Sequence, residues 1–291
     1  MPEGVRVRRI VAADGAAADL LEVGAQCDDI LLWLPAMGVA ARHYVPFALA
    51  FAAQGVGVAL HEWRGIGSSD RRAGWHCDWG YRELLACDLH ASVAALTAAH
   101  PQARLWIGGH SLGGQLAALA CAQDTGRYAG LVLVASGAPY WRRFRHRWGV
   151  LAAYVLAPLL GALCGHVPGR RIGFGGREAR GVIGDWARSG RSGRYRVRGM
   201  DFDFERALAA STVPVFAHRL ADDWLGPAAS LDWLLGKMPR AVREIDVHAA
   251  AGLGSAADHF AWMKRPERLA QRICAQMRGF SGAPCKPGRG Q

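Results

Sequence analysis

The stretch Arg104-Leu-Trp-Ile-Gly-Gly-His-Ser111-Leu-Gly-Gly-Gln-Leu-Ala-Ala-Leu-Ala-Cys-Ala-Gln123 decides how the rest of the sequence is read. Arg104–Ile107 has the length and composition of a buried strand, and Leu112–Gln123 reads as a helix. Between them, Gly109-His-Ser111-Leu-Gly113 fits the pattern Gly-x-Ser-x-Gly. The glycines answer a steric demand. A chain that reverses sharply at the serine brings the residues two before and two after it into collision unless both lack a Cβ, and the serine itself takes strained backbone angles. The strain lifts Oγ above the sheet and sets it at a helix N-terminus, where developing negative charge is favoured. An ordinary strand-to-helix turn leaves Gly109, Gly113 and the additional Gly114 without a common reason.

Outward from this turn, apolar runs alternate with helical periodicity. Upstream, Val5–Val11 and Leu20–Val23 read as a leading hairpin, and Ile30–Leu34 and Val56–Leu60 as strands buried on both faces. Ala41–Gln54 reads as a helix closed by Gly55, and Tyr81–Ala99 as a helix with Tyr81, Leu84, Leu85, Leu89, Val93 and Leu96 on one face. Downstream come a strand at Leu131–Ala135 and, after an interruption, a strand at Val213–Ala217. The chain ends with a helix at Ala228–Leu235, a strand at Val242–Val247 and a helix at Ala261–Met277. Eight strands alternating with helices imply a mostly parallel sheet covered on both faces. The expected organisation is a core built from residues 1–138 and 211–280, an insert at 139–210 and a frayed tail at 281–291.

A serine needs a base to take its proton, and the base needs an orienting carboxylate. In strand-turn-helix hydrolases these follow in the order serine, acid, histidine. Asp222 and Asp223 stand after the strand at Val213–Ala217, and Asp258-His259-Phe260 follows the last strand. Ser111 is assigned as nucleophile, His259 as base and Asp223 as acid, the last from the position of Pro227 four residues later. Asp222 is the rival acid because adjacent aspartates share the spacing, and His248 is the rival base. The oxyanion hole takes one N–H from Leu112 and one from the loop Pro35-Ala36-Met37-Gly38, with Met37 preferred and Ala36 second, since Pro35 has no N–H. No His/Cys cluster has metal-ligand spacing, and the chemistry calls for no metal and no cofactor.

These motifs follow one another as Pro35-Ala-Met-Gly38, His61-Glu-Trp-Arg64-Gly65-Ile-Gly67-Ser-Ser-Asp70, Gly109-His-Ser-Leu-Gly-Gly114, Asp222-Asp223 and Asp258-His-Phe260. In that order the chain resembles the α/β-hydrolase superfamily over nearly its whole length. Within it, the chain is most similar to bacterial hydrolases related to the serine-aminopeptidase and monoacylglycerol-lipase type. Asp78-Trp-Gly-Tyr81 and Pro168-Gly-Arg-Arg-Ile-Gly-Phe-Gly175 carry part of the likeness. The resemblance implies an α/β-hydrolase fold with an inserted helical lid, and acyl transfer to water. The chain departs from many members in having Pro35-Ala36 where they have His-Gly, so its oxyanion loop must be held in another way.

The chain has 291 residues and a formal charge of +11. From Trp141 to Met200 there are thirteen arginines and no lysine against Glu178 and Asp185, so this segment alone is +11 and the remainder balances. One basic insert without a nucleic-acid motif points away from nucleic acid and toward a local role: a solvated outer face, or attraction of anionic lipid head groups or of an acidic substrate such as an acyl-CoA. Between the arginines lies the uncharged run Trp148–Gly165, at the lower edge for a membrane span and interrupted by Pro158. It is expected to be a lid helix packed over the sheet edge. Trp141, Trp148, Tyr154 and Trp186 would then roof an acyl pocket, with Trp63, Trp224 and Trp262 lining it from below. The expected substrate is a medium-sized, partly apolar acyl ester or thioester. An amidase or aminopeptidase is the nearest variant, and a non-catalytic scaffold is the alternative class. Seven scattered cysteines with no Cys-x-x-Cys pair, and an N-terminus lacking a secretory apolar run, are expected of a cytoplasmic protein. Oligomeric state is left open.

Overall fold

A computed structural model describes residues 4–24 and 27–281; the tail from residue 282 lies outside the described residues. The chain opens with β1 (Val5–Val11), β2 (Ala17–Val23) and β3 (Asp29–Leu34), then α1 (Val45–Ala52) and β4 (Gly57–Leu60). Next come α2 (Tyr81–Glu83), a π-helical turn at Leu84–Leu89 and α3 (His90–Ala99), a single helical run with one widened turn. β5 (Arg104–His110), α4 (Leu112–Gln123) and β6 (Leu131–Val134) complete the first part of the core.

The insert holds α5 (Arg147–Cys164), β7 (Val167–Pro168), α6 (Gly169–Ile172), β8 (Arg177–Glu178), α7 (Arg180–Ser192) and α8 (Phe204–Ala210). The core resumes with β9 (Val215–Leu220), α9 (Ala228–Gly236), β10 (Arg243–His248), α10 (Ala250–Leu253) and α11 (Glu267–Ser281). The main sheet has eight strands in the order β1-β2-β4-β3-β5-β6-β9-β10, and β2 alone runs against the others. This is the α/β-hydrolase fold.

The alternation of side chains across β3 explains why both faces are covered. Ile30, Leu32 and Leu34 enter the cluster under α3, α4 and α9, whereas Leu31 and Trp33 enter the one under α1 and α11. The order reverses at β3, with β4 on one side and β5 on the other. The loops after β3 and β5 therefore meet at a switch point, the crevice where ligands of open α/β sheets bind.

Among the boundaries that differ from the sequence reading, four have a local reason. The strand before the serine continues through Gly108 and Gly109 to His110, because β3 pairs with it as far as Gly109 and β6 as far as His110. The strand expected at Val213–Ala217 runs instead from Val215 to Leu220, in register with β6 and β10. The closing helix breaks at Pro266: Ala261–Lys264 is a 3-10 turn, and α11 begins at Glu267. The first helix likewise starts as a 3-10 turn at Ala41–Tyr44, with Pro46 in its first α-helical turn.

Glu22 lies on β2, buried, between Arg8 Nε at 2.6 Å and His100 Nε2 at 2.9 Å. Burial opposes its charge, but Arg8 and His100 outweigh burial and hold the carboxyl below its ordinary 4.5. A carboxyl depressed on folding contributes stability above its unfolded value and loses it as the pH falls through the folded one. Glu22→Gln is therefore expected to cost about 1–2 kcal/mol at pH 7. In urea titrations the gap from wild type should stay constant above about pH 5 and shrink toward pH 3. A gap that widens in acid would contradict this assignment.

Candidate active site

Ser111 sits between β5 and α4 at φ 54°, ψ −118°, in the left-handed half of backbone space. A Cβ on Gly109 would lie 2.4 Å from the Gly113 carbonyl carbon, and one on Gly113 would lie 2.0 Å from the Leu34 oxygen. Only glycine fits at either place. The strain is held by hydrogen bonds on both sides, since Ser111 N–H donates to Val134 O at 3.1 Å and Ser136 Oγ donates to Ser111 O at 2.7 Å.

The two adjacent aspartates differ completely in setting. Asp222 is exposed, whereas Asp223 is buried. Asp223 Oδ1 accepts the N–H groups of Leu225 and Gly226, each at 2.9 Å, and Oδ2 lies 2.8 Å from His259 Nδ1. A carboxylate there keeps the imidazole proton on Nδ1 and leaves Nε2 as a base. Trp262 Nε1 donates to His259 O at 3.1 Å, which ties the histidine loop to the core. The His259 ring is 4.7 Å from that of His110, the residue before the serine. No hydrogen bond joins Ser111 to His259 among the described residues; such contacts are often long without substrate and tighten in the complex.

The loop Pro35–Gly38 is fixed at three points, which accounts for its departure from the commoner His-Gly. Trp63 Nε1 donates to Pro35 O at 2.9 Å. Ala36 N–H donates to Tyr44 Oη at 3.0 Å, and that hydroxyl shares a hydrogen bond with His110 Nδ1 at 2.8 Å. Gly38, at φ 74°, faces the insert: a Cβ on it would lie 2.4 Å from Gly176 N. The Ala36 N–H is thus occupied, while those of Met37 and Leu112 make no hydrogen bond among the described residues.

His110 is buried, and burial drives its pKa well below the ordinary value, so it stays neutral. Neither Tyr44 nor the supporting role of His110 was visible in the sequence, where no local pattern joins residues 66 positions apart. Tyr44→Phe strands the Ala36 N–H in the interior and is expected to cost about 1–3 kcal/mol. The freed loop should also lower kcat more than it raises KM. Unchanged stability and kcat would count against this role.

Two of the tryptophans expected to line the pocket are taken up by the core. Trp262 is fully buried among Trp33, Tyr44 and Phe47, and Trp63 is buried with its N–H spent on Pro35, so both are packing residues. Trp224 is 71% exposed and Trp148 65% exposed; Trp141 packs on Trp148 in a tilted arrangement with ring centroids 5.1 Å apart. Tyr154 is buried against Trp186 at 4.6 Å within the insert.

His248 also stands apart from the Asp223–His259 pair. Its Nε2 is 3.0 Å from His218 Nδ1, and both rings lie near Asp246, close enough for the three to offer ligand atoms to a metal ion. Asp246 is already paired twice with Arg272, at 2.6 and 3.2 Å, so an ion would have to displace a guanidinium.

The family described as Hydrolase_4, serine aminopeptidase S33, matches residues 25–169. No curated protein matches the chain. Solved structures with the same fold include an esterase from Pyrococcus furiosus, 16% identical, covering 96% of this chain and 91% of its own, with a TM-score of 0.64. A carboxylesterase of the ammonia-oxidising thaumarchaeon Nitrososphaera gargenis is 14% identical over 94% and 99% of the two chains, again at 0.64. The thioesterase domain of the curacin biosynthetic pathway is 16% identical over 94% and 99%, at 0.61.

Proposed function

We propose that this chain, which has the α/β-hydrolase fold, is a serine hydrolase that cleaves a carboxylic ester or thioester through an acyl-enzyme on Ser111. The observation that carries the reading is the 2.8 Å contact between buried Asp223 and His259, beside a serine held at φ 54°. His259 Nε2 takes the hydroxyl proton as Ser111 Oγ attacks the carbonyl carbon, and Asp223 stabilises the imidazolium. The N–H groups of Met37 and Leu112 receive the oxyanion. On collapse the imidazolium gives its proton to the leaving alcohol or thiol, and the acyl group stays on Ser111. Water, deprotonated by the same Nε2, then releases the acid and restores the serine.

The substrate class is a medium-sized, partly apolar acyl group, and the insert acts as the lid above it. Names among the structural neighbours favour oxygen and sulfur esters, whereas the matching family is named for an aminopeptidase. An aminopeptidase must hold a free amine with carboxylates, and the insert offers thirteen arginines from Trp141 to Met200 against Glu178 and Asp185. Assays on p-nitrophenyl esters of two to sixteen carbons, acyl thioesters and aminoacyl p-nitroanilides test the reading. Turnover of esters or thioesters with a chain-length optimum is expected. Turnover of the anilides alone would replace it with the peptidase.

A further inference from the structure

We propose that α5 is a membrane-docking helix that lies flat on an anionic bilayer. The helix has 18 residues and spans about 27 Å. The sequence reads as a lid helix packed over the sheet edge; in the structure only Tyr154 and Gly161 of the 18 are buried. Its outer face presents Trp148, Val155, Leu156, Leu159 and Leu163, between 45% and 77% exposed and spaced at helical intervals. A continuous apolar stripe of this size is a binding surface rather than ordinary scatter.

Charge identifies the occupant. Arg142, Arg143, Arg145 and Arg147 stand at the N-terminal end of the stripe, and Arg170 and Arg171 beyond its C-terminal end. None of these six forms an ion pair among the described residues. The acidic residues of the same segment, Glu178 and Asp185, are both buried. The exposed face is therefore apolar along its middle and cationic at both ends, the pattern of an interfacial helix among anionic head groups. A second copy of the chain fits poorly, because a two-fold contact along this helix sets basic ends against basic ends.

The helix is long and apolar enough to cross a membrane, but its attachments keep it on the protein. Tyr154 packs on Trp186, its carbonyl accepts from Arg191 at 2.6 Å, and Gly161 lies against Val167 and Arg180. Both ends of the insert return to neighbouring strands of the same sheet, β6 and β9. Trp75 closes the C-terminal end of α5 against Gly165, and Trp148 lies near the other, a placement that suits tryptophan at a lipid-water boundary.

The test is flotation with phosphatidylglycerol/phosphatidylcholine vesicles and with phosphatidylcholine alone, in 20 mM and 500 mM salt. The protein is expected to float with the anionic vesicles at low salt and to be largely released at high salt. Leu156→Glu/Leu159→Glu and Arg145→Glu/Arg147→Glu should each weaken binding at least about ten-fold. A blue shift of tryptophan emission on vesicle addition should shrink in Trp148→Phe. Circular-dichroism melts show that the variants fold, and a soluble short-chain ester reports on Ser111 separately, so failure of docking is distinct from failure of the hydrolase reading. No flotation of the wild type at low salt, or salt-insensitive flotation with phosphatidylcholine alone, would overturn the proposal. So would variants that float like the wild type. A dimer in light scattering that Leu156→Glu/Leu159→Glu makes monomeric would assign the face to a second copy instead.

Discussion

Ser111→Ala is expected to yield a folded protein that no longer reacts with a fluorescent alkyl fluorophosphonate. Its kcat on p-nitrophenyl esters should fall by about 10⁴–10⁶. Alanine keeps the Cβ that already sits at φ 54°, so the turn carries no new strain and the N–H to Val134 is retained. What is lost is the one atom that can bond covalently to the acyl carbon. The rate expected to remain is that of binding and of the proposed Met37 and Leu112 donors acting on attack by water. Asp223→Asn should cost on the order of 10⁴, because an amide can donate to Nδ1 and so fix the wrong tautomer. Asp222→Asn, at an exposed position with no bond to the histidine, should stay within a few-fold. Labelling that survives in Ser111→Ala, or a kcat within ten-fold of wild type, would remove this serine from the chemistry.

Local pattern and chain order were enough to place the sheet, the turn at Ser111 and the neighbourhood of the histidine. These features arise from period-two apolar runs and from glycines that sterics demand, and both are written in adjacent residues. The choice between Asp222 and Asp223 was not, because it depends on which side chain turns toward the Leu225 and Gly226 amides and His259. Aromatic residues were read less well. Trp63, Trp262 and Trp148 share a residue type, yet two are core and one faces solvent, since burial is decided by neighbours distant in sequence. The uncharged run at Trp148–Gly165 gave the same ambiguity. Hydropathy reports that a helix prefers to leave water, not whether protein or something else covers it.

The second large effect is structural and lies in the loop after β4. Arg64→Met is expected to destabilise the protein by about 3–5 kcal/mol. Arg64 is buried and bonds Asp88 through Nε at 2.8 Å and Nη2 at 2.5 Å, and Asp14 through Nη1 at 2.7 Å. It thereby ties the β1–β2 turn and the π-helical turn to the loop that also carries Trp63, the clamp on Pro35. Methionine roughly fills the volume but leaves the Asp88 carboxylate buried without a cation. Asp14, 38% exposed, can turn to water, so most of the cost falls on Asp88. Burial already raises the Asp88 pKa above 3.8, and without Arg64 it should rise further. A carboxyl raised on folding is stabilising in acid and loses that contribution as the pH climbs through its folded value. The deficit of Arg64→Met should therefore be smaller at pH 5 than at pH 8, and Arg64→Met/Asp88→Asn should recover part of it. Arg64→Lys should fall between, since an ammonium cannot reproduce the fork that spans both carboxylates. Urea unfolding at the two pH values measures each term. A single variant within about 1 kcal/mol of wild type at pH 8 would mean that Asp88 finds water or another partner.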